Sequence, residues 1–466
     1  MTSSLDLFSL PPTQTSIESS NYVHFKLISS LSGENDAPIE FVVPAASDYY
    51  LDLAHTMLHV KVKIGPLQDV AADNHQVGPV NNFLHSIFSQ VEIFFNQKLV
   101  SSSNSLYPYR AYIETLLNYN DDAKGSHLTA TLWYADQTRR FEATPQERNP
   151  DQMNAGLVQR QSFTIDSRPL DMIGHLHCDV FNQDKMLING VEMRVRMVRS
   201  KDAFCLMDST ADGRFRVNIE EATLVVRRAK ISPGVLLAHA NTLAHSTVKM
   251  PLTRVEIKSF TLPAGILNTS IDNLTLGQCP KRVILGLVDN RGFNGNRAFN
   301  PFNFQHFDLN YLALYVDGVQ VPSKALQPRF GNSPLYIEAF QSLFTGTGIH
   351  YQNEGNGINR TTYPLGYFLT AFDLTADFSA NLCTHWNLVR TGSLRLELGF
   401  ENALIATVNC IAFLEYDNII EIDSNRSIVT DFTTSGSCKE ATVQKSHHSF
   451  FASAHTYNMN ISSIKA

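Results

Sequence analysis

The chain has 466 residues, which is enough for two large β-sandwich domains or for about three domains of average size. Hydrophobic residues make up 43% of it and aromatic residues 10%, whereas charged residues make up only 17%, against about 25% in an average soluble domain. This composition excludes a disordered chain and is typical of a protein that buries surface against partners. The net charge of −7 gives no overall attraction to nucleic acid or to an anionic membrane.

Targeting signals and cysteine patterns are both lacking. No segment approaches the run of about 18 apolar residues that a membrane helix needs. The first residues, Met1-Thr-Ser-Ser-Leu-Asp-Leu-Phe, do not follow the basic-then-apolar order of a secretory signal, so we expect synthesis in the host cell without secretion. The six cysteines lie at least 27 residues apart, which indicates neither a disulfide framework nor a zinc site.

In chain order, the first half begins with a polar, aperiodic stretch and then shows strand patterns. Apolar and polar residues alternate over 58–64, and a hairpin is predicted over 93–100, with Asn96-Gln97 at its turn. A short amphipathic helix follows around 109–117, and then a long polar excursion over 120–161. Two strands, which we predict to be paired with one another, close this half: 192–197 and 223–231.

The second half repeats this order. Leu314–Val321 again reads as strand, two-residue turn and strand, and the tripeptide Tyr-Ile-Glu of 112–114 returns at 336–338, where in each half it is predicted to open a helix. A polar excursion over 345–363 and closing strands over 393–400 and 405–416 complete the repeat. We therefore predict an all-β chain of two consecutive, similar β-sandwiches, with short helices and long surface loops.

The predicted boundaries follow from these patterns. They are an N-terminal arm (1–19), a first sandwich (20–231), a connector (232–246), a second sandwich (247–424) and a C-terminal tail (425–466).

The best enzyme-like feature is Gly174-His-Leu-His-Cys-Asp179. On a strand, His175 and His177 would point to one face, as the first two metal ligands of a cupin do. A cupin also needs a carboxylate a few residues further on and a later histidine in the same barrel. The first glutamate here is Glu192 and the next histidine is His239, outside the domain, so two histidines on a wet strand face is the preferred interpretation.

The sequence contains none of the common catalytic or nucleotide-binding motifs. There is no H-E-x-x-H, P-loop, G-x-G-x-x-G or G-x-S-x-G motif, so we expect no catalytic, cofactor-binding or metal-binding residues and no enzymatic activity. The doublet His447-His448 lies in the aperiodic tail and is interpreted as solvated. A basic group that could contact phosphate consists of Arg194, Arg196, Arg199, Lys201, Arg227 and Arg228. The alternation places part of this group on an exposed strand face, and the whole chain is acidic, so specific nucleic-acid binding is not expected.

At this level of detail the sequence resembles a known family, the double jelly-roll major capsid proteins of the adenovirus-like lineage, and above all the hexon-like capsid proteins of Polinton (Maverick) elements and adintoviruses. The resemblance covers about 20–424. It depends on these stretches: Pro79–Val91, Ser101–Tyr119, Leu276–Val283, Val288–Asn290, Phe293–Gly295, Asn300–His306 and Leu312–Gly318.

The resemblance implies a structural role in a virion. Homotrimers with a pseudo-sixfold outline would tile an icosahedral shell beside a penton-like single jelly-roll minor capsid protein. A packaging ATPase and a maturation protease would be encoded by the same genome. We expect the excursions 120–161 and 345–363 to project outward, and the tail to contact neighbouring capsomers, other minor capsid proteins or an inner membrane.

Two alternatives of other classes stay open at this point. One is a two-domain, cupin-like metalloenzyme that uses His175 and His177. The other is a double-sandwich carbohydrate- or receptor-binding module that uses the 345–363 excursion, where Tyr351 and Tyr363 could stack on sugars.

Overall fold

In a computed structural model, the described residues are 13–28, 37–66, 77–101, 104–147, 149–208, 214–382 and 385–430. The first half of the described chain contains these strands: β1 (Ile17–Lys26), β2 (Ile39–Val43), β3 (Tyr49–Pro66), β4 (Val77–Pro79), β5 (Phe88–Phe95), β6 (Lys98–Leu99), β7 (Leu170–His175), β8 (Met193–Arg199), β9 (Leu206–Asp208) and β10 (Phe215–Ile231). Its α-helices are α1 (Phe83–Ser86), α2 (Tyr107–Asn118), α3 (Asp121–Gly125), α4 (Ala155–Ser162) and α5 (Asp202–Cys205), and short 3₁₀ helices cover His127–Thr131, Ile165–Ser167 and Asp179–Phe181.

Helix α6 (Pro233–Leu243) connects the halves. The strands of the second half are β11 (Val248–Leu262), β12 (Asn268–Gln278), β13 (Arg282–Asp289), β14 (Leu309–Val316), β15 (Val319–Leu326), β16 (Leu369–Asp373), β17 (Thr391–Phe400), β18 (Val408–Ile422) and β19 (Ile428–Thr430). Its helices are α7 (Asn290–Phe293) and α8 (Ile337–Thr347).

The two halves have the same sheet topology. The first half forms one sheet in the order β1-β10-β3-β7 and another in the order β2-β8-β5-β6; the second half forms β11-β18-β13-β16 and β12-β17-β14-β15. If the pair β4–β9 in the first half and the short β19, which pairs with β18, in the second are set aside, each half of the described chain has eight strands. Both halves then read 1-8-3-6 in one sheet and 2-7-4-5 in the other. Two antiparallel four-stranded sheets in this arrangement make a jelly roll, so the predicted all-β, double jelly-roll fold is confirmed.

Side-chain alternation explains why these strands form. Leu58, Val60 and Val62 of β3 are fully buried, whereas the residues between them are partly exposed. The run Thr223–Val226 is buried throughout, as expected for a strand covered on both faces.

One prediction about the strands is wrong. The closing strands of each half do not pair with each other: β8 pairs with β2 and β5, whereas β10 pairs with β1 and β3. Likewise β17 and β18 lie in different sheets. Apart from the hairpins β5–β6 and β14–β15, consecutive strands of the two jelly rolls lie in facing sheets, and period-two alternation cannot show which sheet a strand joins.

The cores of the two sandwiches cross the boundary between the halves. Met250 and Ile422 of the second half belong to the core of the first sandwich. In the other direction, helix α2 contributes Tyr107 and Ala111 to the first core and Tyr112 and other residues to the second. Helix α2 therefore lies at the junction and is packed on both sides.

The repeated tripeptide occupies different places in the two helices. Tyr336-Ile-Glu338 does open α8, but Tyr112-Ile-Glu114 lies in the second half of α2, which begins at Tyr107 with Pro108 in its first turn. Proline is favoured there because its missing N–H has no intrahelical partner. The prediction that both tripeptides open helices is therefore wrong for the first.

Both predicted tails contain ordered residues close to the sandwiches. Residues 17–19 belong to β1, and β19 pairs with the end of β18, so the sheet continues past 424. Arg426 also bonds to the first sandwich: its Nη2 donates to Asn189 Oδ1 (3.0 Å), and its carbonyl accepts from Asn96 Nδ2 (2.9 Å). The arm residues 1–12 and the tail residues 431–466, with His447-His448, lie outside the described residues. No helix within the described ranges is long and apolar enough to cross a bilayer.

Candidate functional site: the junction between the sandwiches

The two histidines singled out from the sequence do not share a wet strand face. Strand β7 ends at His175, whose Nε2 lies 2.9 Å from Asn182 Oδ1. His177 lies beyond the strand end and is only 8% exposed, with Nδ1 2.7 Å from Glu114 Oε2 on α2. The interpretation as two solvated histidines is therefore wrong for His177, which the turn after β7 carries into the junction.

A third histidine, which sequence reasoning missed, completes this group. The ring centroid of His85 on α1 lies 4.7 Å from that of His177, and its Nδ1 lies 3.0 Å from Tyr107 Oη. Burial, together with the neighbouring histidines, lowers the pKa of His85 well below its ordinary value, so the ring is neutral at physiological pH. Ninety-two positions separate His85 from His177, so no local spacing could have shown the contact.

A buried ion network connects this group to the second sandwich. Arg110 Nε lies 2.8 Å from Glu114 Oε1, and Arg110 Nη1 lies 2.7 Å from Asp179 Oδ1. Asp179 Oδ1 also accepts a hydrogen bond from the backbone N–H of Val255 in β11 (3.1 Å). Burial acts to raise the pKa of Glu114, but Arg110 and His177 outweigh it and lower the pKa to about 2. Glu114 is thus ionised and bound on both sides.

One ring nitrogen of each buried histidine is engaged by a neighbour: Nδ1 of His177 by Glu114 and Nδ1 of His85 by Tyr107. Across the described parts of the chain, no group of three or more His, Cys, Asp or Glu side chains is arranged to hold a metal ion. What the network does is connect α2, the turn after β7 and β11, and so connect one sandwich to the other.

A second buried network lies in the excursion of the first half. The Asp136 carboxylate accepts from Arg160 Nη2 (2.6 Å), from Asn154 Nδ2 (2.8 Å) and, across the junction, from Asn300 Nδ2 (3.1 Å). The side chains of Asp136 and Arg160 are completely buried. Removing one partner from such a pair leaves an uncompensated buried charge, so the two charges hold the excursion in place together.

The prediction that 120–161 projects outward as a loop therefore needs correction. Trp133 is buried against Tyr112, with ring centroids 5.2 Å apart. Lys124 is buried, and its Nζ donates to the carbonyls of Leu116 (2.8 Å) and Asn356 (2.6 Å). The buried charges of this stretch are stabilised by partners, Asp136 by Arg160 and Lys124 by two backbone carbonyls.

The other excursion is exposed only in part. Helix α8 continues to Thr347, and Tyr351 is 91% exposed. Tyr363, by contrast, is fully buried, and its hydroxyl lies within hydrogen-bond distance of the carbonyls of Ala339 and Leu369, so it cannot stack on a sugar. The binding loop suggested for 345–363 thus loses one of its two aromatic residues.

Half of the basic group lies in ion pairs. Arg196 lies 3.1 Å from Glu92 and 3.5 Å from Glu40, and Arg227 lies 2.8 Å from Asp52. Arg199 lies 3.6 Å from Asp202, and Arg228 stacks over the ring of Phe25 at 5.0 Å. Four of the six side chains are therefore engaged by neighbours in the first sandwich, whereas Arg194 and Lys201 have no ion pair with another described residue.

With this geometry established, comparisons can be made with known proteins. No protein-family model matches the chain. A Caenorhabditis elegans protein described as uncharacterized is 24% identical over 437 residues, which cover 91% of this chain and 99% of that protein.

Solved structures of the same fold cover nearly the whole chain. A chain of the Sputnik virophage has a TM-score of 0.62 at 12% identity and covers 94% of this chain and 93% of its own length. The mavirus major capsid protein has a TM-score of 0.51 at 12% identity, with 93% and 95% covered. A chain of the PBCV-1 virus capsid has a TM-score of 0.51 at 9% identity, with 92% and 100% covered. The protein therefore has the double jelly-roll fold found in these viral capsid structures.

Proposed function

We propose that this protein is a viral major capsid protein with a structural, non-enzymatic role in the virion. One observation carries the proposal: the chain aligns with viral capsid chains over both sandwiches and over almost the full length of each chain compared. The identical strand order of the two jelly rolls supports this role, because the alignments with the capsid chains extend over both of them.

The capsomer we propose is a homotrimer. Two similar sandwiches per chain give three chains six comparable blocks around a threefold axis, which makes a near-hexagonal tile. The ring needs a heterologous contact between unlike faces, and two diverged sandwiches supply such faces. The buried networks of Arg110 and Asp136 support this arrangement, because a tile that packs into a shell needs a fixed angle between its two blocks.

For the lineage, we propose the Polinton and adintovirus group. The sequence stretches that resemble its capsid proteins support this. Partners would then be neighbouring capsomers, a penton-like single jelly-roll protein and, through the tail, other minor capsid proteins or an inner membrane.

Two measurements on the purified full-length chain test the proposal. Light scattering should give about three times the chain mass of 52.1 kDa, and negative-stain microscopy should show trimers with a hexagonal outline or closed shells. A stable monomer or dimer at micromolar concentrations, with no larger assembly, would overturn both the trimer and the capsid role.

A further inference from the structure

A cleft of about 720 Å³ lies between the sandwiches, at the end where the excursion of the first half meets loops of the second. Arg139, Phe141 and Glu142 line it from the first half. Three loops of the second half, within 289–308, 364–366 and 402–406, supply the rest. This volume falls in the range of small-ligand sites, which form preferentially at domain interfaces.

The cleft combines apolar surface with one partly exposed aromatic side chain. Phe141 is buried in contact with Tyr367, and the ring of Phe299 is covered by Arg291, whose guanidinium carbon lies 3.9 Å from the ring centroid. Phe307 packs against the core of the second sandwich with part of its surface and lines the cleft with the rest. Only this exposed part of the side chain can contact an apolar ligand surface.

The positive and negative charges that line the cleft are close to balanced, and several lining side chains can still form hydrogen bonds with a ligand. Asp289 accepts from Arg291 Nε (3.0 Å) and Nη2 (2.7 Å). Burial raises the pKa of Glu142 to about 7, so its carboxyl is about half neutral at that pH. Within the described ranges, the side chains of three lining residues have no hydrogen-bond partner: Arg139, Gln305 and Asn402.

Three of the twelve described non-glycine residues with positive φ angles line the cleft. Arg139, Phe307 and Asp308 all have positive φ angles, of 65°, 46° and 53°. Side chains other than glycine rarely adopt this region, and such residues cluster at ligand clamps. A bulky phenylalanine and an arginine held in this way fix the ring and the donor at the rim of the cleft.

We propose that this cleft binds a neutral saccharide. Sugar hydroxyls both donate and accept hydrogen bonds, which suits a rim of arginine, amide and carboxyl groups, and the apolar face of a pyranose suits the exposed part of the Phe307 side chain. The balanced charge disfavours selection of a strongly ionic ligand. The claim that the cleft binds a saccharide is independent of the proposed capsid function. The further claim that it attaches the particle to a host surface glycan rests on that function.

The test is saturation-transfer NMR on the full-length protein, with lactose, N-acetyllactosamine, chitotriose and maltotriose as probes. At least one probe should receive saturation, with a dissociation constant between micromolar and millimolar. Arg139→Ala and Asn402→Ala should each weaken binding by about tenfold, as expected for the loss of a hydrogen bond worth about 1.4 kcal/mol. Arg140→Ala is the matched control and should bind like the wild type, because Arg140 does not line the cleft.

Three results would overturn the proposal: no saturation of any probe, binding that Arg139→Ala and Asn402→Ala leave unchanged, or protection of the cleft by a second copy of the chain in the trimer. Microscopy of the same samples separates the two proposals. Shells that form without sugar binding refute the saccharide site alone, whereas sugar binding by a protein that never assembles refutes the capsid role alone.

Discussion

The carboxyl of Glu142 offers a quantitative test of how the junction is built. Its Oε2 accepts from the backbone N–H of Asn300 (2.7 Å), and its Oε1 accepts from Asn303 Nδ2 (2.6 Å), both in the second sandwich. Burial raises the pKa of Glu142 from its ordinary 4.5 to about 7, even though both hydrogen bonds act to lower it. Glu142→Gln removes the ionisation and retains the shape, because the amide of Asn303 can turn to present its oxygen.

The sign of the effect follows from proton binding. Between pH 4.5 and 7, the folded protein holds the proton that the unfolded chain releases, so the stabilising contribution is complete below pH 4.5 and is lost as the pH rises through 7. The difference between 4.5 and about 7 corresponds to an upper limit of about 3 kcal/mol. We therefore expect Glu142→Gln to raise the free energy of unfolding by about 1–3 kcal/mol at pH 8 and by close to zero at pH 4.5.

The assay is urea unfolding of both proteins at several pH values and at one protein concentration, since assembly shifts apparent stability by mass action. The exposed Glu354 provides the control: Glu354→Gln should leave the pH dependence as in the wild type. A variant that gains stability equally at pH 4.5 and pH 8, or that loses stability at pH 8, would show that folding does not raise the pKa of Glu142.

Three further predictions concern the rest of the chain. Arg110→Met should lower the free energy of unfolding by about 3–5 kcal/mol, because it leaves Glu114 and Asp179 buried without their cation; near-wild-type urea stability would contradict the network. Purified protein should contain well under one equivalent of zinc, iron or manganese by mass spectrometry, and stoichiometric metal lost in His175→Ala would instead revive the cupin-like alternative. Deleting 431–466 should spare the trimer in light scattering and impair shell closure under the microscope; a deletion that prevents folding would show that the segment belongs to the core.

Local patterns could predict the strands and their repetition, because alternation reports which face of a strand is buried. Leu58, Val60 and Val62 are an example, and the two polar turns at 96–97 and 317–318 lie between paired strands as predicted. The pairing between strands could not be predicted in this way, because β8 and β10 show the same period-two alternation although they belong to different sheets.

The junction could not be predicted because it depends on contacts between distant residues. Asp136 and Arg160 look like surface charges in a polar stretch, and only the fold shows that each neutralises the other in the interior. The same holds for His85, whose position next to His177 depends on α1 and the turn after β7 being brought together. A rule that assigns charged stretches to the solvent-exposed surface fails wherever the fold buries oppositely charged side chains as ion pairs.

The position of α2 between the two cores also limits how such a protein can be recombined. A cut at the connector would separate the second core from Tyr112 and its neighbours on α2, and the first core from Met250 and Ile422. Neither half is then a self-sufficient module, and a chimera that exchanges one sandwich between relatives must carry its share of α2 with it. We expect the two halves to melt as a single cooperative unit, although each has the strand order of a complete jelly roll.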